Sequence, residues 1–400
     1  MIWAIRESRK ISAGGKSQRA IFLSPLGIYT RYTLAAYLRF TGLIAIGCLV
    51  AALTIDLSPQ LPRIWNSQGG YPNAVARVLW YLALRSADVI TRLISIVCFL
   101  GVFAAEIAST WSRERQVIWN TGRSPMQCLI PALLLGLLAG LLQFGFDRYL
   151  RPAAIAAQIS DRLGEYGERY DRRPLPYRTW IVAGDDLVHA RIEFGPPAAL
   201  HDVTIYKFAT EQHRLEAVIT AQTARAPADG LTWKLEQGRR WEISTRQTSP
   251  DRDAVVDTVA LQLDPLWVSN FGINAMFLPQ PVLDALAQGT GVFDRRAYQT
   301  WIQIRYSSLV APSAMALLAS SLSLLLLATS ITPQAVLGIA LAGYAGHVLT
   351  RAFSLLGIYG YLPPVVVGWI TPALQLASAV LLLVAASWWR SRPTGNVNKR

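Results

Sequence analysis

Charge is scarce in this 400-residue chain: Asp, Glu, Lys and Arg together make up 16% of it, where soluble domains run near a quarter. That is too little to cover the surface of a soluble protein of this size. Apolar residues make up 52% and are clustered rather than spread. Both features argue against a wholly soluble enzyme. Cysteine is scarce as well. Cys48, Cys98 and Cys128 all sit in apolar runs, which excludes a disulfide scaffold and reads as buried thiols. The four histidines, His189, His201, His213 and His347, show no metal-ligand spacing and no cysteine accompanies them, so no metal is expected. No Ser/His/Asp arrangement can be drawn from them. Gly14-Gly15-Lys16-Ser17 resembles the end of a phosphate-binding loop, but that motif needs a glycine five positions before Gly15, where Lys10 stands, and no strand precedes it. The chain is therefore expected to hold no nucleotide and no cofactor, and not to be an enzyme.

Acidic residues number 25 against 38 basic ones, a net charge of +13. Such an excess suits a nucleic-acid partner, and its distribution along the chain decides the matter.

A helix needs about 20 apolar residues to cross the hydrocarbon of a bilayer. Six stretches qualify: 33–56, 89–108, 128–146, 309–332, 335–358 and 365–388. A cleavable signal peptide fits poorly, because the basic start is long and the first apolar run exceeds an h-region. With the N-terminus in the cytoplasm, the segments 1–31, 109–127 and 389–400 lie inside. They carry Arg6, Arg9, Lys10, Lys16, Arg19, Arg31, Arg113, Arg115, Arg123, Arg390, Arg392, Lys399 and Arg400, against only Glu7 and Glu114. The interval 148–306 is balanced, with 19 basic and 19 acidic residues. The excess is thus the positive-inside bias of a six-span protein rather than a nucleic-acid footprint, and nucleic acid is not expected as a partner. Charges remaining within and beside the spans are Arg39, Arg63, Arg77, Arg85, Arg92, Arg351, Asp56, Asp88, Glu106 and Asp147.

The expected organisation is residues 1–147 with three spans, an external domain over 148–306, and residues 307–400 with three more spans and a cytoplasmic tail. The external interval is long enough for its own core. RTWIVAG, ARIEFG, DVTIYKF, LEAVITAQTA, LTWKLEQG, RWEIST and AVVDTVALQL are short β-rich runs separated by turn residues, which suggests a sandwich or open barrel. Residues 148–167 read as a helical extension out of the third span, and 282–287 and 295–306 as short helices leading back. Trp233, Trp241 and Trp267 are expected in the β core, since no basic stripe accompanies them as a nucleic-acid platform would need.

Two segments carry the polar chemistry. Between spans two and three, Glu114 to Trp119 can form a short helix, with Gly122 as its stop and Pro125 just beyond. Val117 and Ile118 would form an apolar ridge flanked by Arg113, Glu114 and Arg115. By itself this is either an ordinary turn or a helix that docks into a partner. At the outer end of span two, Arg85, Asp88 and Arg92 share one helix face, with Asp88 and Arg92 four residues apart. Ionisable residues at that depth face an interior or a wet cavity, or snorkel to the interface. His347, one turn from Arg351, reads as a polar contact inside the bundle.

The chain resembles the LptF/LptG permease family of the lipopolysaccharide exporter, over nearly its whole length. Residues 112–124 resemble that family's S-E-x(7)-G-x-S coupling-helix pattern, and Asp147 through Pro152-Ala153 its acidic-then-Pro-Ala exit from span three. Gly357, Gly360, Leu362-Pro363-Pro364, Gly368-Trp369 and Pro372 resemble G-x-x-G-x-L-P-P-x-x-x-x-W-x-x-P. Within the family, VTIYKF at 203–208 followed by Leu215, Ala221 and Trp233 is more LptG-like. Departures are also present. Arg113 separates Ser112 from Glu114, no proline follows Asp88 in span two, and Asp56 and Arg63 stand where LptG-type chains carry lysines.

The resemblance implies an α-helical integral membrane protein with six transmembrane helices in a 3+3 arrangement and an inserted periplasmic β-jellyroll. It implies a Gram-negative inner-membrane location and a heterodimer with a paralogous LptF-like permease. It also implies a dimeric LptB-like cytoplasmic ABC ATPase and an LptC/LptA-like periplasmic jellyroll bridge. Lipopolysaccharide would be the cargo. ATPase coupling would fall to Arg113, Glu114, Arg115, Val117, Ile118 and Gly122. The headgroup path would include Arg63, Arg85, Asp88, Arg92 and Arg305. A permease for another lipid, or a membrane-anchored scaffold or sensor, remains open beside it.

Overall fold

A computed structural model describes residues 27–66, 73–120, 122–169, 174–194, 197–209, 214–226, 232–242, 254–292, 295–327 and 330–391. The Gly14–Ser17 string, His213, Thr121, five of the six N-terminal basic residues and the end of the tail from Arg392 lie outside the described residues.

The chain opens with two long helices, α1 (Ile28–Asn66) and α2 (Ala74–Trp111), joined by α3 (Glu114–Asn120) to α4 (Pro125–Gly145). At 39 residues, α1 is about 58 Å long, nearly twice the ~30 Å hydrocarbon layer. Asn73 caps α2, its side chain accepting from the Ala76 amide at 2.7 Å, which satisfies one orphan donor of the first turn. Ser124 and Gln127 cap α4 reciprocally, with Pro125 in the first turn, as a capping box does. The apolar run then continues through a π-helical turn (Phe146–Leu150) into α5 (Arg151–Ser160) and α6 (Gly164–Arg169).

Eight antiparallel strands follow: β1 (Thr179–Ala183), β2 (Asp186–Glu193), β3 (Ala199–Ala209), β4 (Arg214–Arg225), β5 (Thr232–Glu236), β6 (Arg239–Glu242), β7 (Ala254–Val255) and β8 (Thr258–Ala260). Their order is β1-β2-β3-β4-β5-β8, with β6 pairing β4 and β7. Period-two alternation puts Val188, Ala190 and Ile192 of β2 and Val203 and Ile205 of β3 on one buried face. Trp233 and Trp267 join that core, but Trp241 does not. Trp241 is 47% exposed, because β6 is a four-residue strand with no residue fully buried on either face. The run 254–263 divides into β7 and β8 where the Val256 amide donates to the Gly238 carbonyl.

The return path is α7 (Pro265–Ser269), a 3-10 turn (Ala275–Phe277), α8 (Gln280–Gln288), α9 (Arg295–Ser307), α10 (Ala311–Leu326), α11 (Pro333–Ile358) and α12 (Pro364–Ser391). Tyr298 and Trp301 of α9 belong to the sheet-domain core, whereas Met315, Leu318 and Ala319 of α10 belong to the bundle core. The two helices are bent by 53° at their junction. Among the described residues, five helices are long and apolar enough to cross a membrane, or six when α9 and α10 count as one bent span. The fourth apolar stretch, expected over 309–332, is helical only as far as Leu326, where a side chain from another helix takes the terminal carbonyls.

The bundle closes on small residues. Ala314, Ala316, Ala319, Ser320 and Ser321 of α10 are buried. Gly136 and Gly140 of α4 lie against the backbone of Ser313 and Leu309, with no room for a Cβ. Glycines four apart let two helix backbones approach closely, which is how membrane helices associate without a hydrophobic drive.

Candidate functional site

Ionisable groups gather at both ends of the helical bundle. At the end nearer the sheet domain, the Asp88 carboxylate is 1% exposed and meets three guanidiniums. Arg85 Nη1 donates at 3.0 Å, Arg92 Nε and Nη2 at 2.9 and 2.6 Å, and Arg151 Nε lies 2.9 Å away. Arg85 also grips Asp56 of α1 bidentately, at 2.9 and 2.7 Å, and Tyr81 donates to the same carboxylate at 2.8 Å. Arg151 Nη1 donates to Asp147 at 2.6 Å. The cluster thus balances three carboxylates with three guanidiniums, and ties α1, α2, the π-helical turn and α5 together. Charges survive at this depth because each is paired and hydrogen-bonded. The π-helical turn places Asp147 in reach of Arg151 one turn on, and such turns are frequent at functional positions.

The same end holds a polar cavity of about 100 Å³ between α2, α4, α9, α11 and α12. Arg92, Asp147, Arg151, His347, Arg351 and Thr371 are among its lining residues. His347 and Arg351 thus both line this polar pocket inside the bundle. Of the charged residues expected here, Arg85, Asp88 and Arg92 come together. Arg63 stands exposed in the last turn of α1. Arg305 is buried, its guanidinium donating to the Gln280 side chain at 3.0 Å and to the carbonyls of Leu278 and Met276 at 2.6 and 3.2 Å.

At the opposite end, α3 follows α2 after a two-residue break. Arg113 takes φ +63° there, a left-handed conformation that a non-glycine residue adopts uncommonly. Its carbonyl accepts from the Gln116 and Val117 amides and starts the new helix. Gly122, at φ +76°, ends the excursion. Glu114 is exposed and accepts from the Tyr32 hydroxyl at 3.2 Å. Val117 is 65% exposed and Ile118 half-buried. Arg115 points the other way and is buried. It pairs with Glu106 of α2 and donates to the Ser323 and Leu327 carbonyls at 2.8 and 3.2 Å. Tyr37 of α1 donates to Glu106 as well. A cavity of about 300 Å³ beside α3 is lined by Tyr29, Tyr37, Arg39, Glu106, Glu114, Arg115 and Cys128, among others.

Three partners in these clusters were not assigned roles from sequence: Glu106, Asp56 and Arg151. Glu106 and Asp56 were visible as carboxylates in or beside apolar runs. Arg151 stands four residues from Asp147, a readable i,i+4 spacing, but its other partner, Asp88, is 63 positions away and left no local signal. Among the described residues, no group of three or more His, Cys, Asp or Glu side chains is placed to hold a metal ion.

The arrangement is a membrane bundle with charged clusters at both ends, a short exposed helix at one and an antiparallel sheet domain at the other. Comparison with curated proteins finds no match. The family model described as lipopolysaccharide export system permease LptF/LptG matches residues 31–385. That match runs from the first turn of α1 to near the end of α12 and includes the whole sheet domain, so the chain belongs to the LptF/LptG family of lipopolysaccharide export permeases.

Proposed function

We propose that the chain is one permease subunit of an ABC transporter, lifting lipopolysaccharide out of the inner membrane and passing it to a periplasmic bridge. In this reading α3 faces the cytoplasm and docks a separate ATPase dimer, and the sheet domain faces the periplasm. The observation that carries it is the division of side chains on α3. Glu114 and Val117 are turned outward, free of the bundle core, while Arg115 is anchored inside it. A surface turn with no partner has no reason to combine an exposed apolar side chain with a buried anchor on so short a helix.

The large apolar side chains exposed along α1 and α11, such as Leu43, Ile46, Val50, Leu337, Leu341 and Tyr344, suit contact with lipid tails and with a paralogous LptF-like permease. The LptG-like sequence at 203–208 favours this chain as the other half of that heterodimer. At the periplasmic end, Arg92 and Arg351 line the polar cavity and Arg63 is exposed nearby in the chain's outer reach. Their charge suits the phosphates of an anionic glycolipid. Arg85, Asp88 and Arg305 hold the frame in which those cations stand. An LptC/LptA-like bridge protein would receive the cargo from the sheet domain.

Purification of the chain from membranes tests the reading. An ATP-hydrolysing subunit and lipopolysaccharide should both co-purify with it. Another lipid in place of lipopolysaccharide would move the assignment to a different cargo, and absence of any ATPase would favour a scaffold.

A further inference from the structure

Glu114 and Arg115 are sequence neighbours with opposite surroundings. Glu114 is exposed, and Arg115 is 4% exposed, inserted from α3 into the space between α2 and α10. Its guanidinium meets three acceptors there: the Glu106 carboxylate and the carbonyls of Ser323 and Leu327. Those two carbonyls lie at the C-terminal end of α10: that of Ser323 also accepts from the Leu327 amide at 3.0 Å, and Leu327 closes the helix, where carbonyls run short of intrahelical donors. A cation is also favoured at that end of the helix dipole. Arg115 is therefore the cap of a helix more than 200 positions away in the chain. Glu106 in turn receives the Tyr37 hydroxyl from α1 and lies 3.5 Å from Ser320 Oγ of α10. One ion pair thus joins α1, α2, α3 and α10.

The chemistry makes this joint stiff. A planar guanidinium can reach a carboxylate and two carbonyls at once, whereas an ammonium offers a point charge on a flexible stem. A buried cation that left Glu106 behind would strand both charges away from water. Displacement of α3 therefore draws the end of α10 with it.

We propose that the Arg115–Glu106 pair is the positioning joint that transmits movement of α3 to α10 and α1, while Glu114 and Val117 make the outward contact. The proposal rests on the reading of α3 as the docking helix for the ATPase. Arg115 and Glu106 act through the helices they hold, and touch neither cargo nor nucleotide.

The test uses the complete complex with its ATPase, reconstituted in liposomes containing lipopolysaccharide. Arg115→Met and Glu106→Gln should leave ATP hydrolysis per complex within about twofold of the parent, and lower the lipopolysaccharide moved per ATP at least tenfold. Arg115→Lys, which keeps the charge without the fork, should regain part of that ratio. The double variant Arg115→Met/Glu106→Leu removes both charges together and controls for folding. It should recover the parental melting temperature and stay uncoupled. Parental coupling in the double variant overturns the proposal. So does an equal fall of hydrolysis and transport in single variants that assemble normally, which marks the pair as structural only. If no ATPase binds the parental chain, the docking reading fails, and the joint is judged separately by hydrogen exchange on the detergent-purified protein. Arg115→Met should then speed exchange over both 114–120 and 320–327, and unchanged exchange over 320–327 overturns it.

Discussion

Arg151 Nε lies 2.9 Å from the Asp88 carboxylate, linking α5 to the middle of α2 across the end of the bundle that meets the sheet domain. Arg85 and Arg92 approach the same carboxylate from their own helix, so one buried aspartate organises three guanidiniums. Removing it strips Arg92 of its counter-charge and leaves Arg85 and Arg151, which keep Asp56 and Asp147, facing it. Asp88→Ala should therefore destabilise the protein by about 3–5 kcal/mol, the range for breaking a buried ion pair from one side. Arg92→Met should cost less, because Arg92 is partly exposed and Asp88 keeps two partners. Thermal unfolding in detergent, following tryptophan fluorescence, measures both.

On α3, the hydrogen bond that Glu114 accepts from Tyr32 is an exposed one. Glu114→Ala should change the protein's own stability by no more than about 0.5 kcal/mol, as surface substitutions usually do. It should nevertheless weaken retention of the ATPase and reduce ATP-driven export. Val117→Asp should do the same, by placing a charge on the exposed apolar contact. Quantified co-purification of the ATPase, alongside melting curves of the chain alone, separates the two effects. Intact assembly and intact coupled transport in Glu114→Ala would remove this residue from the docking surface.

The cavity near Asp88 gives a prediction about cargo. A photo-reactive residue at position 92 or 351 should capture lipopolysaccharide in living cells, and one at position 63 should do so from the exposed end of α1. A residue at 305 should capture little, because Arg305 is spent on the Gln280 side chain and two carbonyls. Adducts at 305 with none at 92 or 351 would reverse that path.

Trp233 and Trp241 separate a good sequence reading from a poor one. Trp233 is fully buried and donates to the Leu263 carbonyl at 3.3 Å, so Trp233→Ala should cost about 3–5 kcal/mol. Trp241 lies exposed on β6, and Trp241→Ala should cost under about 1 kcal/mol, within the range for surface positions. Urea unfolding, followed by circular dichroism, compares the two.

Those two tryptophans sit in equally β-rich runs, and pattern alone cannot distinguish them. Each strand is flanked by two others, so burial depends on whether the face that carries the tryptophan packs on the core, as it does for Trp233 and not for Trp241, which is a property of the folded sheet. The membrane helices were legible because span length is set by the bilayer, and most strands because alternation and turn residues are local. The Asp88–Arg92 pair was legible from its i,i+4 spacing. Arg115 was expected on a short helix between spans two and three, and it lies on α3. Its inward anchor was not, since the acceptors are backbone carbonyls of α10, and carbonyls leave no mark in a residue sequence. The early end of α10 follows from the same contact and was missed for the same reason. The Gly136/Gly140 seam against Ser313 and Leu309 had a readable spacing, but its partner helix did not.

The central claim is that this chain moves lipopolysaccharide at the expense of ATP hydrolysed by a separate subunit. Transfer from liposomes carrying the reconstituted complex to a soluble periplasmic acceptor tests it most directly. Lipopolysaccharide should reach the acceptor when ATP is supplied, and fail to do so without ATP or with Glu114→Ala. ATP hydrolysis accompanied by release of phospholipid, or of no lipid at all, would contradict it.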